Sequence, residues 1–118
     1  MYSQREKLSR ISGKNLEFSV EITKTALTDA EEYVCFIRDD RQDPMVAEQW
    51  WNGLIDQILS LEALPKRCPI IPEQKHFEQE MRHLIYASHR IIFRINESTV
   101  TVLRIYHGAR KPLKTIDV

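Results

Sequence analysis

The sequence predicts a single α+β domain in the order β-α-α-β-β-β, with an N-terminal helical hairpin packed on a small, antiparallel-rich sheet. Three observations lead there. An alternating apolar segment starts at Leu16, two segments of helical period follow with a short connection, and the last third of the chain is rich in Val, Ile and Thr. A length of 118 residues suits one such domain. We expect a flexible extension over residues 1–15, the folded domain over 16–112 and a tail over 113–118.

Each element has its own reason. Leu16, Phe18, Val20 and Ile22 alternate with Glu17, Ser19, Glu21 and Thr23, the pattern of a strand with one buried face. Thr25 or Thr28 then offers an N-cap, and Ala26, Ala30, Tyr33, Val34 and Ile37 recur at helical spacing until the polar run from Arg38 to Asp43. Asp43 and Pro44 open a second helix as N-cap and first helical residue. Its apolar stripe is Val46, Ala47, Trp50, Trp51, Leu54, Ile55, Ile58, Leu59 and Leu61, which places at least one tryptophan in the core and not on a stacking surface. Pro65, Pro69 and Pro72 predict a constrained loop without regular structure. Strands are expected over Glu80–Ser88, His89–Ile95 and Thr99–His107, with a turn at Asn96-Glu97-Ser98. The last strand is apolar in both phases, as for a central strand or one with a bulge.

Composition narrows the function. No run reaches the ~18 apolar residues of a membrane helix, and no apolar stretch follows Met1, so a cytoplasmic protein is expected. Cys35 and Cys68 lack metal-ligand spacing and are expected as reduced thiols. Lys and Arg balance Asp and Glu at 17 each, but the charge is segregated. Residues 81–118 hold 7 basic and 2 acidic side chains, while residues 44–80 hold 3 and 6. The terminal strands could therefore present a basic face to phosphates or to an acidic partner, or carry solvated arginines of no such use.

Familiar catalytic motifs are missing: there is no Gly-rich phosphate loop, HExxH, CxxC or GxSxG. His76, His83, His89 and His107 lack the pairing of a metal site, so no metal or other cofactor is expected. What remains is a set of cations and imidazoles on the last strands. Arg82, Arg90, Arg94, Arg104, Arg110 and Lys111 are candidate target- or phosphate-binding residues. Metal-independent RNA cleavage needs a base, cations on the phosphate and an acid for the leaving oxygen. The last two could come from Arg and His on this sheet, with no base identifiable from the residues.

These residues also resemble a known family. The element order, Ala26-Leu27-Thr28-Asp29, Ala47 with Trp50, Leu61 and Pro65, Arg82-His83-Leu84, His89-Arg90-Ile91-Ile92-Phe93 and Ile105-Tyr106-His107-Gly108-Ala109-Arg110 are similar to the ParE/RelE superfamily. Its members are toxins of type II toxin–antitoxin modules, often called plasmid stabilisation proteins. The resemblance covers about residues 16–112 and lies nearest the ParE branch. It implies an inhibitor of DNA gyrase without chemistry of its own, neutralised by a cognate antitoxin docking on the sheet edge and the apolar side of the hairpin. The alternative is a RelE/YoeB-like, ribosome-dependent mRNA endoribonuclease, in which Arg90, His107 and Arg110 would be catalytic. A third possibility is a non-toxic binding module on the same scaffold. Ile85 stands where the nuclease branch has a further arginine, no Tyr follows Arg110, and the proline loop lacks a lysine cluster. Arg82 matches the arginine that ParE-like sequences place before the strand pair.

Overall fold

The structure, a computed structural model, describes residues 18–108 and residue 113. Strand β1 (Ser19–Ile22) leads into helix α1 (Lys24–Cys35), a π-helical turn (Phe36–Asp40) and helix α2 (Pro44–Leu59). The proline loop follows, and then β2 (Arg82–Tyr86), β3 (His89–Asn96) and β4 (Thr99–His107). The sheet order is β1-β4-β3-β2; β1 runs parallel to β4 and the other pairs are antiparallel. The β-α-α-β-β-β order and the helical hairpin on an antiparallel-rich sheet are as expected.

Helix α1 starts earlier than either predicted cap. Thr23 is its N-cap, accepting from the Ala26 N–H through its side chain, while its own N–H continues the β1 ladder to the Val102 carbonyl. Strand passes into helix with no intervening loop, so the polar residue that completed the strand's alternation is also the cap. The α-helix stops at Cys35 and widens into the π turn, so the polar run lies largely beyond its end. Asp43 and Pro44 do open α2: the Asp43 carboxylate accepts from the Val46 N–H at 3.2 Å. At the other end, the Arg67 guanidinium donates to the Ala63 and Leu64 carbonyls and to the Ser60 hydroxyl, satisfying groups where the helix finishes.

Both helices cover one face of the sheet. Ala26, Ala30, Ala47, Leu54 and Ile58 pack there against Val20, Ile91, Phe93, Val100, Val102 and Ile105. Trp50 and Trp51 are both in this core, 8% and 7% exposed, so neither offers a ring to a base. A second, smaller cluster covers the opposite face, where Ile71 and Met81 from the proline loop and Leu113 meet Ile92 and Leu103. Leu113 is thus a buried residue at the start of the segment expected as a tail. The expected N-terminal extension and residues 114–118 lie outside the described residues.

The two-phase pattern of β4 has both of its proposed causes. β4 is central, and its pairing with β3 shifts between Ile92↔Arg104 and Phe93↔Val102, leaving Leu103 as an extra residue. Val102 and Ile105 therefore both face the helices while Leu103 turns to the second cluster. The other two strands also differ slightly from expectation. β2 is confined to Arg82–Tyr86, and β3 extends one residue further, to Asn96. The proline loop is more regular than three prolines suggest. It contains short 3-10 turns at Pro65–Arg67 and Gln74–His76, and it covers the outer edge of β2 through His83 N–H to Pro69 O and Ile71 N–H to Met81 O.

Candidate functional site

The predicted cations sit on adjacent strands but point different ways. Pairing of His89 with His107 and of Arg90 with Tyr106 fixes the alternation. His89 and His107 lie on the helix side, where the His89 ring packs edge-on against Tyr33 (centroids 4.3 Å) and His107 (4.7 Å). The Arg90 side chain goes to the opposite face, into the second cluster's surroundings. The structure therefore sends the side chains of Arg90 and His107, two of the three candidate catalytic residues, to opposite faces of the sheet, although both residues border an open cleft of ≈ 450 Å³ at the strand end. Arg110 and Lys111 lie outside the described residues.

Arg90 is held on three sides. Its two terminal nitrogens donate to the Glu73 carboxylate, both at 2.7 Å, and its Nε donates to His83 Nδ1 at 3.0 Å. Glu73 comes from the proline loop, has a side chain only 6% exposed, and also accepts from the Leu113 N–H at 2.9 Å. The Arg90 hydrogen bonds, helped by the Leu113 N–H, bring its carboxyl down to about 2 against the cost of burial. Burial, with the adjacent Arg90 charge, lowers the His83 pKa, so the imidazole stays neutral and its Nδ1 can accept.

The other arginines have internal duties as well. β1 pairs with β4 only up to Val102, so beyond that point α1 replaces it. The Thr23 hydroxyl donates to the Leu103 carbonyl, and the Asp29 carboxylate accepts from the Ile105 N–H at 3.1 Å. Asp29 also takes both ends of Arg104, at 2.7 and 3.0 Å, while that guanidinium lies 5.6 Å over the Tyr106 ring. Arg82 donates to the Cys68 and Lys66 carbonyls and to Glu80, tying the loop to the start of β2. Arg94 donates to the Gln79 side chain at 2.6 Å. The basic excess of the last strands is thus drawn largely into contacts that fasten the loop and α1 to the sheet.

Sequence reasoning found the arginines and missed the carboxylates that occupy them. Asp29 reads in the sequence as a favourable acid near a helix N-terminus, and Glu73 lies in a loop where no periodicity shows which way a side chain points. Also unforeseen is a cleft of ≈ 360 Å³ between α1 and the end of β4, lined by Asp29, Glu32, Tyr33, Phe36, His89, Ile105 and His107. Of the cysteines, Cys35 is exposed and Cys68 buried, and burial raises the Cys68 thiol's pKa. Among the described residues no group of three or more His, Cys, Asp or Glu could hold a metal ion, and no helix is long and apolar enough to cross a membrane.

A helical hairpin on a four-stranded mixed sheet, capped on its far face by a loop, defines a small α+β domain. Residues 20–112 match the family model of the ParE toxin of the type II toxin–antitoxin system parDE, and the chain belongs to that family. A solved chain described as the chromosomal ParDE TA system from P. aeruginosa shares the fold, with a TM-score of 0.62 at 16% identity over 77% of this chain and 96% of that one. No curated protein matches the sequence.

Proposed function

We propose that this ParE-family chain is a toxin that acts by binding, with DNA gyrase as its target, and that a cognate antitoxin neutralises it in the cytoplasm. Membership in the family of the parDE system implies the antitoxin partner. The observation that favours binding over chemistry is the division of the candidate catalytic set. A nuclease would need cation and proton donor on one phosphate, whereas Arg90 and His107 occupy opposite sheet faces and Arg90 is already closed on Glu73.

The antitoxin reading has support at two places. β1 is the last strand of the sheet on its side, and the hairpin tip exposes Phe36, Met45 and Val46. Asp39, Asp40 and Asp43 share that tip with Arg38, which pairs with Asp39 at 2.9 Å, and with Arg41, so what the tip offers a partner is mainly its apolar side chains. The experiment is a gyrase assay with purified chain, scored for lost supercoiling and for gyrase-dependent DNA breaks. Intact gyrase activity together with cut transcripts in a primer-extension assay on translated mRNA would instead support the endoribonuclease reading.

A further inference from the structure

We infer that Arg90 and the Leu113 N–H form an oxyanion site whose resident occupant is the chain's own Glu73 carboxylate, a tethered plug that a free carboxylate or phosphate can replace. The inference stands on this geometry alone and does not depend on the gyrase reading.

Three donors from two distant parts of the chain converge on one carboxylate: two guanidinium N–H groups at 2.7 Å and a backbone N–H at 2.9 Å. That is the arrangement by which proteins hold small oxyanions, and a guanidinium fork receives carboxylate and phosphate oxygens in the same way. The fork is oriented independently of its occupant. His83, on β2, takes the Arg90 Nε–H at 3.0 Å, and Arg90 itself sits on β3, a central strand paired on both sides. The plug is differently supported. Glu73 precedes the short turn Gln74–His76, and this stretch of loop is held by the Gln74 side chain, which bonds to Phe77 O, Gln79 O and the Met81 N–H, and by the buried Ile71, which donates to Met81 O. The receptor is thus part of the sheet and its ligand part of a loop, tethered to it by chain on both sides. Burial completes the site: the side chains of Arg90 and Glu73 are 13% and 6% exposed, so an anion there would be screened little by solvent.

The test is rescue of a plug deletion. Glu73→Ala empties the position, and its thermal midpoint is measured in sodium acetate, sodium phosphate and sodium chloride at matched ionic strength. The site predicts that acetate or phosphate raises the variant's midpoint above its chloride value by about 10 °C near 100 times the Kd, with a much smaller rise for the unmodified chain. Acetate alone would identify a carboxylate site and phosphate alone a phosphate site. Should Glu73→Ala be unfolded in chloride, recovery of its near-ultraviolet circular dichroism in the same salts gives the same reading. Equal responses in variant and unmodified chain would overturn the inference. So would a rescue that persists when Arg90→Gln is added to Glu73→Ala.

Discussion

At Glu73 one carboxylate meets a guanidinium fork and a backbone N–H, so its protonation removes three charge-assisted contacts together. Its pKa is about 2 in the folded chain against an ordinary 4.5, so its contribution is fully present above pH 4.5 and is lost as pH falls toward 2. The size of that contribution is about 3 kcal/mol. His83 acts in the same direction at higher pH: its folded pKa lies below 6.5, so the native state resists its protonation and stability begins to fall as pH drops through that value. Urea unfolding against pH should show both losses. Glu73→Gln should remove the lower one and keep the upper. Asp29 offers a second test, because Asp29→Ala leaves the Arg104 guanidinium and the Ile105 N–H without their carboxylate. A loss of about 3 kcal/mol is expected, read as a lower urea midpoint at unchanged slope. Neither carboxylate could be chosen from the sequence. An arginine on a strand is visible as a charge, but the group that neutralises Arg90 lies 17 residues earlier in a loop, and no local pattern connects them.

Elements were far more legible where one local rule decided them. Asp43 followed by Pro44 opens α2 as read, and Asp43→Ala should cost about 1 kcal/mol. Where two rules overlapped, the boundary moved. Thr23 serves strand and helix at once, which concealed the true cap behind Thr25 and Thr28. The bulge at Leu103 was visible only as a doubling of the apolar phase, because the extra residue is defined by β3 and not by β4 itself. The seat of α2 on β2 provides a sharper prediction. Gly53 lies against Tyr86, whose hydroxyl donates to the Trp50 carbonyl at 3.0 Å, and a Cβ there would collide with that hydroxyl and stand 2.9 Å from the ring's Cζ. Alanine normally improves a helix interior by about 1 kcal/mol over glycine. Here Gly53→Ala should instead lower the thermal midpoint, and adding Tyr86→Phe should recover part of the loss.

For the whole molecule, the even balance of 17 basic and 17 acidic side chains conceals an uneven distribution, and among the described residues the arginines of the last strands serve packing. Arg90 and Arg104 hold Glu73 and Asp29, while Arg82 and Arg94 fasten the loop that covers the sheet's far face and edge. The fold was readable because period, caps and prolines each act over a few residues, and the family resemblance rested on motifs spread over the same elements. The site was less readable because its meaning depends on which sheet face a residue takes and on what already fills the space. His107 and Arg90 look like partners in sequence, yet their side chains take opposite faces of the sheet. The proposed binding of gyrase without nuclease chemistry can be checked by incubating purified chain with gyrase and supercoiled DNA and measuring gyrase-dependent double-strand breaks. Breaks should rise with toxin and disappear when the cognate antitoxin is added. Unbroken DNA and unimpaired supercoiling at saturating toxin would contradict it.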